Sequence, residues 1–94
     1  MIFQSRYDDA YIDWQVYKSG RPCMIIKDNT SGETICTASI NVDQPLQAGL
    51  IAIKDWSENE GVLDELQRLG IVGPVLYRIH SGFVEIPIVM VLKP

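Results

Sequence analysis

The chain has 94 residues, of which 47% are hydrophobic and 21% are charged, and its formal net charge is −4. This length supports one hydrophobic core, so we expect a single domain over residues 1–94 with the composition of a soluble globular protein rather than a disordered or fibrous one. The negative charge disfavours sequence-independent binding to a phosphate backbone, so we expect no direct contact with nucleic acid.

The amino-terminal residues and the lengths of the apolar runs indicate the cellular compartment of the protein. Residues 1–9 contain no basic stretch followed by an apolar run of signal-peptide length. The longest apolar run, residues 86–92, is far shorter than the roughly 20 residues of a membrane helix. We therefore expect a cytoplasmic protein with no membrane contact, in which Cys23 and Cys36 are reduced.

Alternation in the first half of the chain predicts strands. Apolar side chains at every second position of residues 12–17 show the two-residue period of a half-buried strand. Residues 23–27 and 34–42 are rich in β-branched side chains and flank turn-forming residues at 29–32. These two segments predict a β-hairpin.

The register of this hairpin determines where the cysteines lie. Pairing Asp28 with Glu33 across the turn places Cys23 and Cys36 on the same face, as diagonal neighbours, and sets Ile25 opposite Cys36. Diagonal Cβ atoms are normally too far apart for a disulfide bond. We therefore expect two separate thiols on one face of the hairpin.

The main helix is predicted after residue 57. Ser57 is a suitable N-cap, and Glu60, three residues later, is its capping-box partner. Apolar residues recur at helical spacing from Val62 to Leu69. Gly70 then matches a Schellman stop, in which a left-handed residue closes the last turn.

Three further strands are predicted at residues 50–54, 75–79 and 83–92, with a turn at 80–82 between the last two. Pro87 cannot donate a ladder hydrogen bond, so we expect its strand at a sheet edge or with a bulge. The predicted fold is α+β, a mostly antiparallel, curved β-sheet of about five to six strands with one main α-helix packed on one face.

Few residues are typical of catalysis or of a bound cofactor. The one histidine, His80, lies beside Ser81, and neighbours in sequence are rarely placed as nucleophile and base. The cysteines and the histidine match no zinc-site spacing, and no phosphate-binding or dinucleotide-binding glycine motif is present. Asp8, Asp9 and Asp13 lack the spacing of a calcium loop. We expect no cofactor, no metal site and no enzymatic activity.

Residues 55–68 hold five acids and one base, a local charge of −4 that equals the net charge of the chain. One interpretation is structural: a helix start favours acids, and Asp64 can pair with Arg68 at i,i+4. The other is an acidic surface for a basic protein partner, with Trp56 as an aromatic anchor. The candidate binding residues are Asp55, Trp56, Glu58, Asn59, Glu60, Asp64 and Glu65.

A second candidate surface comprises Tyr11, Tyr17 and Arg21. Alternation places both tyrosines opposite the face that carries Trp14. Tyrosine and arginine are enriched in protein interfaces, and aromatic sheet surfaces can stack bases. The alternative is that these rings cover a second small core or cross-strand neighbours. If they are exposed together, they would favour self-association into a homo-oligomer.

Two stretches of the chain resemble a known family. Residues 53–63 read IKDWSENEGVL and residues 82–87 read GFVEIP. They are similar to segments of a small family of bacterial, plasmid and phage proteins with a domain of unknown function, and the resemblance extends over residues 12–92. It implies no catalytic residues. It implies a mobile-element context, in which small acidic proteins often bind host machinery or block host defence factors.

Together these observations predict a small, non-enzymatic, cytosolic binding protein of phage or mobile-element type. It would bind a protein partner through the acids at the helix start, with inhibition of a host defence factor as one such activity. The alternative is a small-ligand binding or sequestering protein with a pocket between the helix and the sheet or at an oligomer seam. An enzyme would need a partner subunit or a substrate to complete a site built on His80.

Overall fold

A computed structural model describes residues 10–93 of the chain, and the α+β class is confirmed in this part. Asp8 and Asp9, and the signal-peptide interpretation of residues 1–9, lie outside the described residues. A 3-10 turn at Ser57–Asn59 precedes the helix. The elements in chain order are β1 (Ala10–Val16), β2 (Pro22–Asp28), β3 (Thr34–Thr37), β4 (Leu50–Ala52), α1 (Val62–Arg68), β5 (Tyr77–Ser81) and β6 (Val84–Met90).

The six strands of residues 10–93 form two small antiparallel sheets. The first sheet has the order β1-β2-β3 and the second has the order β4-β6-β5. A β-bridge between Ser39 and Ile53 joins the chain that follows β3 to the chain that follows β4. The single curved sheet predicted from the sequence is therefore not confirmed, because β3 and β4 meet only at this short junction.

β2 and β3 form the predicted hairpin, and the predicted register holds next to the turn, where the Asp28 N–H donates to the Glu33 carbonyl at 2.8 Å, but it is wrong further along the strands. A bulge after Ile26 shifts the pairing by one residue, so Cys36 lies opposite Ile26 instead of Ile25. One extra residue in a strand reverses which side chains face the core. Cys23 and Cys36 consequently lie on opposite faces of the hairpin, and both are buried thiols.

Two clusters of buried side chains lie on the two faces of the second sheet. β6 contributes to both clusters, and its residues Ile88 and Val89 are completely buried. The larger cluster also includes the first sheet and α1, and its buried members are Met24, Ile26, Cys36, Ala38, Ile51, Ile53, Val62, Leu63, Leu66, Val72 and Val89. The buried members of the smaller cluster are Val42, Leu50, Ala52, Ile79, Ile86 and Ile88.

Pro87 lies in the central strand of its sheet and the pairing of β6 shows no register shift, so the prediction of an edge strand or a bulge is wrong. The Pro87 carbonyl accepts a hydrogen bond from the Ile53 N–H at 3.1 Å. In an antiparallel pair the N–H and C=O of one residue point to the same neighbouring strand. The missing donor of Pro87 therefore faces the end of β4, whose pairing with β6 stops at Ala52. The hydrogen bond that Pro87 cannot donate is the one to the carbonyl of Ile53, one residue beyond β4, so the pairs within β4 are unaffected.

The carboxyl end of α1 confirms the predicted Schellman motif. Gly70 has φ +72°, and its N–H donates to the Gln67 carbonyl at 3.0 Å. The N–H of Ile71 donates to the Leu66 carbonyl at 2.9 Å. These are the two hydrogen bonds that define the motif, and they turn Ile71 back onto the larger core cluster.

Candidate binding surface

The helix start is built by Asp55 and not by the predicted capping box of Ser57 and Glu60. Asp55 Oδ1 accepts hydrogen bonds from the backbone N–H groups of Gly61 and Leu63, both at 3.1 Å. Ser57 has φ +58°, whereas an N-cap residue is typically extended. Gly61, at φ +93°, is the residue from which α1 begins. The capping acceptor thus comes from six residues upstream.

Two more of the predicted binding residues are buried and engaged within the fold. Asn59 is 2% exposed, and its Nδ2 donates to the Thr37 carbonyl at 2.8 Å, which ties the 3-10 turn to β3. Glu65 is 7% exposed, and its carboxylate accepts from Arg68 Nε at 3.0 Å. The sequence contains a sign of this burial, because Glu65 lies three residues after Val62 on the apolar side of the helical pattern.

The exposed acids of the segment are Glu58, Glu60 and Asp64, and we call these three the acidic patch. Lys54 Nζ lies 2.5 Å from Glu58 Oε1, and this hydrogen bond lowers the pKa of Glu58 below its usual value. Lys54 was not among the predicted residues, although its spacing of four from Glu58 is typical of a pair. Among residues 10–93, neither Glu60 nor Asp64 has an ion-pair partner.

Trp56 connects the acidic patch to the core. Its side chain is half-buried and packs against the smaller core cluster on the second sheet. The ring therefore holds the chain between Asp55 and the 3-10 turn in a defined position, and part of it stays accessible beside the patch. Its role as an aromatic anchor for a partner stays a prediction.

The residues of the second candidate surface are separated in the structure. Tyr11 is 43% exposed near the start of β1, and Tyr17 follows the end of this strand, about 20 Å away at the usual rise per residue. The Tyr17 hydroxyl lies 2.9 Å from Ser39 Oγ, and the Arg21 guanidinium donates to the Val42 carbonyl. Tyr17 and Arg21 thus contact the chain after β3, whereas Tyr11 lies at the other end of the strand.

Replacing Tyr17 by phenylalanine should lower the free energy of unfolding by about 1 kcal/mol, because the buried Ser39 hydroxyl loses a hydrogen-bond partner. Burial also raises the pKa of the Tyr17 phenol. Its stability contribution is therefore complete below the unfolded pKa of about 10 and is lost as the pH rises above it. Urea unfolding at about pH 7 and pH 11 measures both effects. Tyr11→Phe is the control, and an equal loss in that variant would contradict the assignment.

The predicted pocket between helix and sheet is a narrow cleft of about 100 Å³. Pockets that hold drug-sized ligands usually have about 300–1,000 Å³, so this cleft by itself is smaller than such a pocket. Two larger hollows, of about 450 and 410 Å³, are open grooves on the surface. The cleft is lined by Ala10, Tyr11, Ile12, Ile26, Val62, Glu65, Leu66, Leu69 and Ile71.

His80 lies in β5 and not in the predicted turn, which is formed by Gly82 and Phe83. Its side chain is 80% exposed, and its Nε2 lies 3.8 Å from Glu85 Oε2. Ser81 is its neighbour in the strand, so the two side chains point to opposite faces and do not form a nucleophile–base pair. Within the described part of the chain, no group of three or more His, Cys, Asp or Glu side chains could hold a metal ion.

Glu58 and Glu60 of the acidic patch therefore lie on a turn whose backbone is held by the Asp55 cap and by the Asn59 hydrogen bond, and Asp64 follows in the first turn of α1. No helix of residues 10–93 is long and apolar enough to cross a membrane.

Comparison of the chain with known protein families, with curated proteins and with solved structures finds no match.

Proposed function

We propose that the protein acts by binding a basic protein surface through the acidic patch. The observation that carries this proposal is the division of the acidic segment into two sets of side chains. Asp55, Asn59 and Glu65 are engaged within the fold, whereas the three patch acids are exposed. Glu60 and Asp64 have no ion-pair partner among residues 10–93 and are available to lysine and arginine side chains of a partner, whereas Glu58 is exposed but shares its carboxylate with Lys54.

The charge distribution supports the same surface. Residues 55–68 carry a charge of −4, as does the whole chain. Lys54 pairs with Glu58, and Arg68 pairs with Glu65, so Glu60 and Asp64 are the acids of this segment with the least local compensation. A surface of one sign steers a partner of the opposite sign and raises the rate of association.

We also propose the mobile-element context that residues 53–63 and 82–87 lead us to expect, and this context extends the proposal to a class of partner. A host defence nuclease must bind phosphates, and its binding surface is therefore rich in lysine and arginine. An acidic patch can occupy such a surface and exclude the nucleic acid. The proposed activity is thus non-enzymatic inhibition of a host defence factor in the cytoplasm.

Affinity capture with matched charge-reversal variants tests this proposal. Each variant replaces three exposed acids by lysine, which raises the formal charge by 6, from −4 to +2. The patch variant carries Glu58→Lys, Glu60→Lys and Asp64→Lys. The control variant carries Glu33→Lys, Asp43→Lys and Glu85→Lys. Glu65 is left unchanged because it is buried and bound by Arg68.

We expect a basic protein in a lysate of the host cells to be retained by the wild-type chain and by the control variant. The patch variant should retain at least about tenfold less of it, and elution should be favoured by salt, which screens exposed charges. Circular dichroism verifies that both variants are folded. A partner that the folded patch variant retains as well as the wild-type chain does would disprove the proposal.

A further inference from the structure

β1 is an edge strand without the usual protection. Among residues 10–93 it pairs only with β2, over seven consecutive residues without a register shift. Natural edge strands are commonly protected by charged side chains, proline or a bulge. β5, one of the two outer strands of the second sheet, carries exposed Arg78 and His80. β1 reads AYIDWQV and carries one charged side chain, Asp13.

The charge of Asp13 is compensated within the first sheet. Lys27 Nζ lies 2.8 Å from Asp13 Oδ2, and Gln15 Nε2 donates to the other carboxylate oxygen at 2.9 Å. The hydrogen bond between the two charged groups lowers the pKa of Asp13 and raises that of Lys27, so the pair stays ionised around neutral pH. The edge therefore has no net charge to repel a second strand.

The hydrogen-bond pattern shows which backbone groups face away from β2. Tyr17 N–H donates to the Arg21 carbonyl at 2.9 Å, and this bond fixes the phase of the ladder. Hydrogen-bonded and non-hydrogen-bonded pairs alternate in antiparallel sheets. The backbone N–H and C=O groups of the odd-numbered residues of β1 therefore point to β2, and those of the even-numbered residues point to the free edge. The outward residues are Ala10, Ile12, Trp14 and Val16.

We propose that β1 pairs antiparallel with β1 of a second copy of this chain, which joins the two first sheets into one six-stranded sheet. In the register that fits best, Trp14 of one copy lies opposite Trp14 of the other. Ile12 of each copy then lies opposite Val16 of the other. In this register Asp13 of each copy faces Gln15 of the other, so a carboxylate meets an amide instead of a second carboxylate.

A second copy is the occupant that the edge fits best. A two-fold contact uses both β1 edges at once and leaves neither open. Val16 is 70% exposed, and it borders an open groove of about 450 Å³ that Trp14, Pro22 and Val91 also line. Ile12 of the second copy, lying opposite Val16, would extend the apolar contact at this end of β1. This interface is separate from the acidic patch and does not depend on the proposed function.

Val16→Pro tests the interface. The Val16 N–H faces the free edge and its side chain is exposed, so proline removes a donor to the second copy but no bond between β1 and β2. Val16→Thr keeps the N–H and is the matched control. Light scattering over about 5 to 500 µM should show dimers for the wild-type chain and for Val16→Thr. The dimer dissociation constant of Val16→Pro should rise about 25-fold, since two hydrogen bonds are lost and each contributes about fivefold.

Amide hydrogen exchange on the wild-type chain gives a second measurement that needs no variant. The amides of Ile12 and Trp14 should exchange slowly at high concentration and rapidly after dilution to monomer, whereas the inward amide of Asp13 stays protected at both concentrations. A chain that is monomeric throughout this range would overturn the proposal. A dimer that Val16→Pro leaves unchanged would also overturn it, because such a dimer forms elsewhere.

Discussion

Replacing Asp55 by alanine should lower the free energy of unfolding by about 2 kcal/mol. One carboxylate oxygen is the acceptor for the N–H groups of both Gly61 and Leu63, so the change leaves two backbone donors at the start of α1 without that acceptor. Asp55→Asn keeps an oxygen in the same place and should lose less than half as much. Urea unfolding followed by circular dichroism measures all three proteins.

Asp64→Ala is the matched control for this prediction. Asp64 is an acid in the first turn of α1, but it is exposed and has no ion-pair partner among residues 10–93. Its replacement should change stability by no more than about 0.5 kcal/mol. If Asp55→Ala and Asp64→Ala lost the same stability, the helix macrodipole rather than the two hydrogen bonds would account for the effect of Asp55.

The second large effect is expected at the junction of the two sheets. Ile53 is completely buried in the larger core cluster, and its backbone forms the bridge to Ser39. Ile53→Ala should cost about 3 kcal/mol, because it removes buried methyl groups and leaves a cavity, and Ile53→Val should cost about 1 kcal/mol. The side chain of Phe83 is fully exposed, so Phe83→Ala should be within about 0.5 kcal/mol of wild type.

Chemical denaturation in urea ranks these three variants on one scale. The expected order of stability loss is Ile53→Ala, then Ile53→Val, then Phe83→Ala. A loss below about 1 kcal/mol for Ile53→Ala would mean that the site collapses around the smaller side chain, and it would contradict a junction that depends on this residue.

Features determined by neighbours in the chain could be predicted from the sequence. The period of two places a strand within residues 12–17, and helical spacing places α1 between Val62 and Leu69. Gly70 was predictable as the helix stop because the residue after the last turn needs a positive φ, which glycine adopts without a steric penalty.

Features determined by distant contacts could not be predicted. Asp55 and Ser57 are both suitable capping residues. Which of them caps the helix depends on the residue at which α1 begins, and α1 begins after Gly61. A bulge of one residue determines on which face of the hairpin Cys36 lies, and no local sequence pattern predicts this bulge. Pro87 is accepted in a central strand because β4 ends opposite it, which is a property of another part of the chain.

The candidate surface was predictable only as a segment. Composition shows that residues 55–68 hold the net charge of the chain. It does not show which acids are exposed, because burial depends on packing against other elements. Glu65 is buried where α1 meets the larger core cluster, and Asn59 is buried where the 3-10 turn meets β3. Of the seven candidate residues, the structure shows three as exposed carboxylates and Trp56 as half-buried.

The central claim is that the acidic patch binds a partner while the buried polar residues beneath it support the fold. The dissociation constant of the captured partner, measured by calorimetry at about 50 and 300 mM salt for the wild-type chain and both charge-reversal variants, tests this claim most directly. We predict that the patch variant binds at least about 100-fold more weakly at low salt, that the control variant binds within about threefold of wild type, and that the difference shrinks at high salt. Equal dissociation constants for the folded patch variant and the wild-type chain would contradict the claim and would leave the segment as a capped helix start.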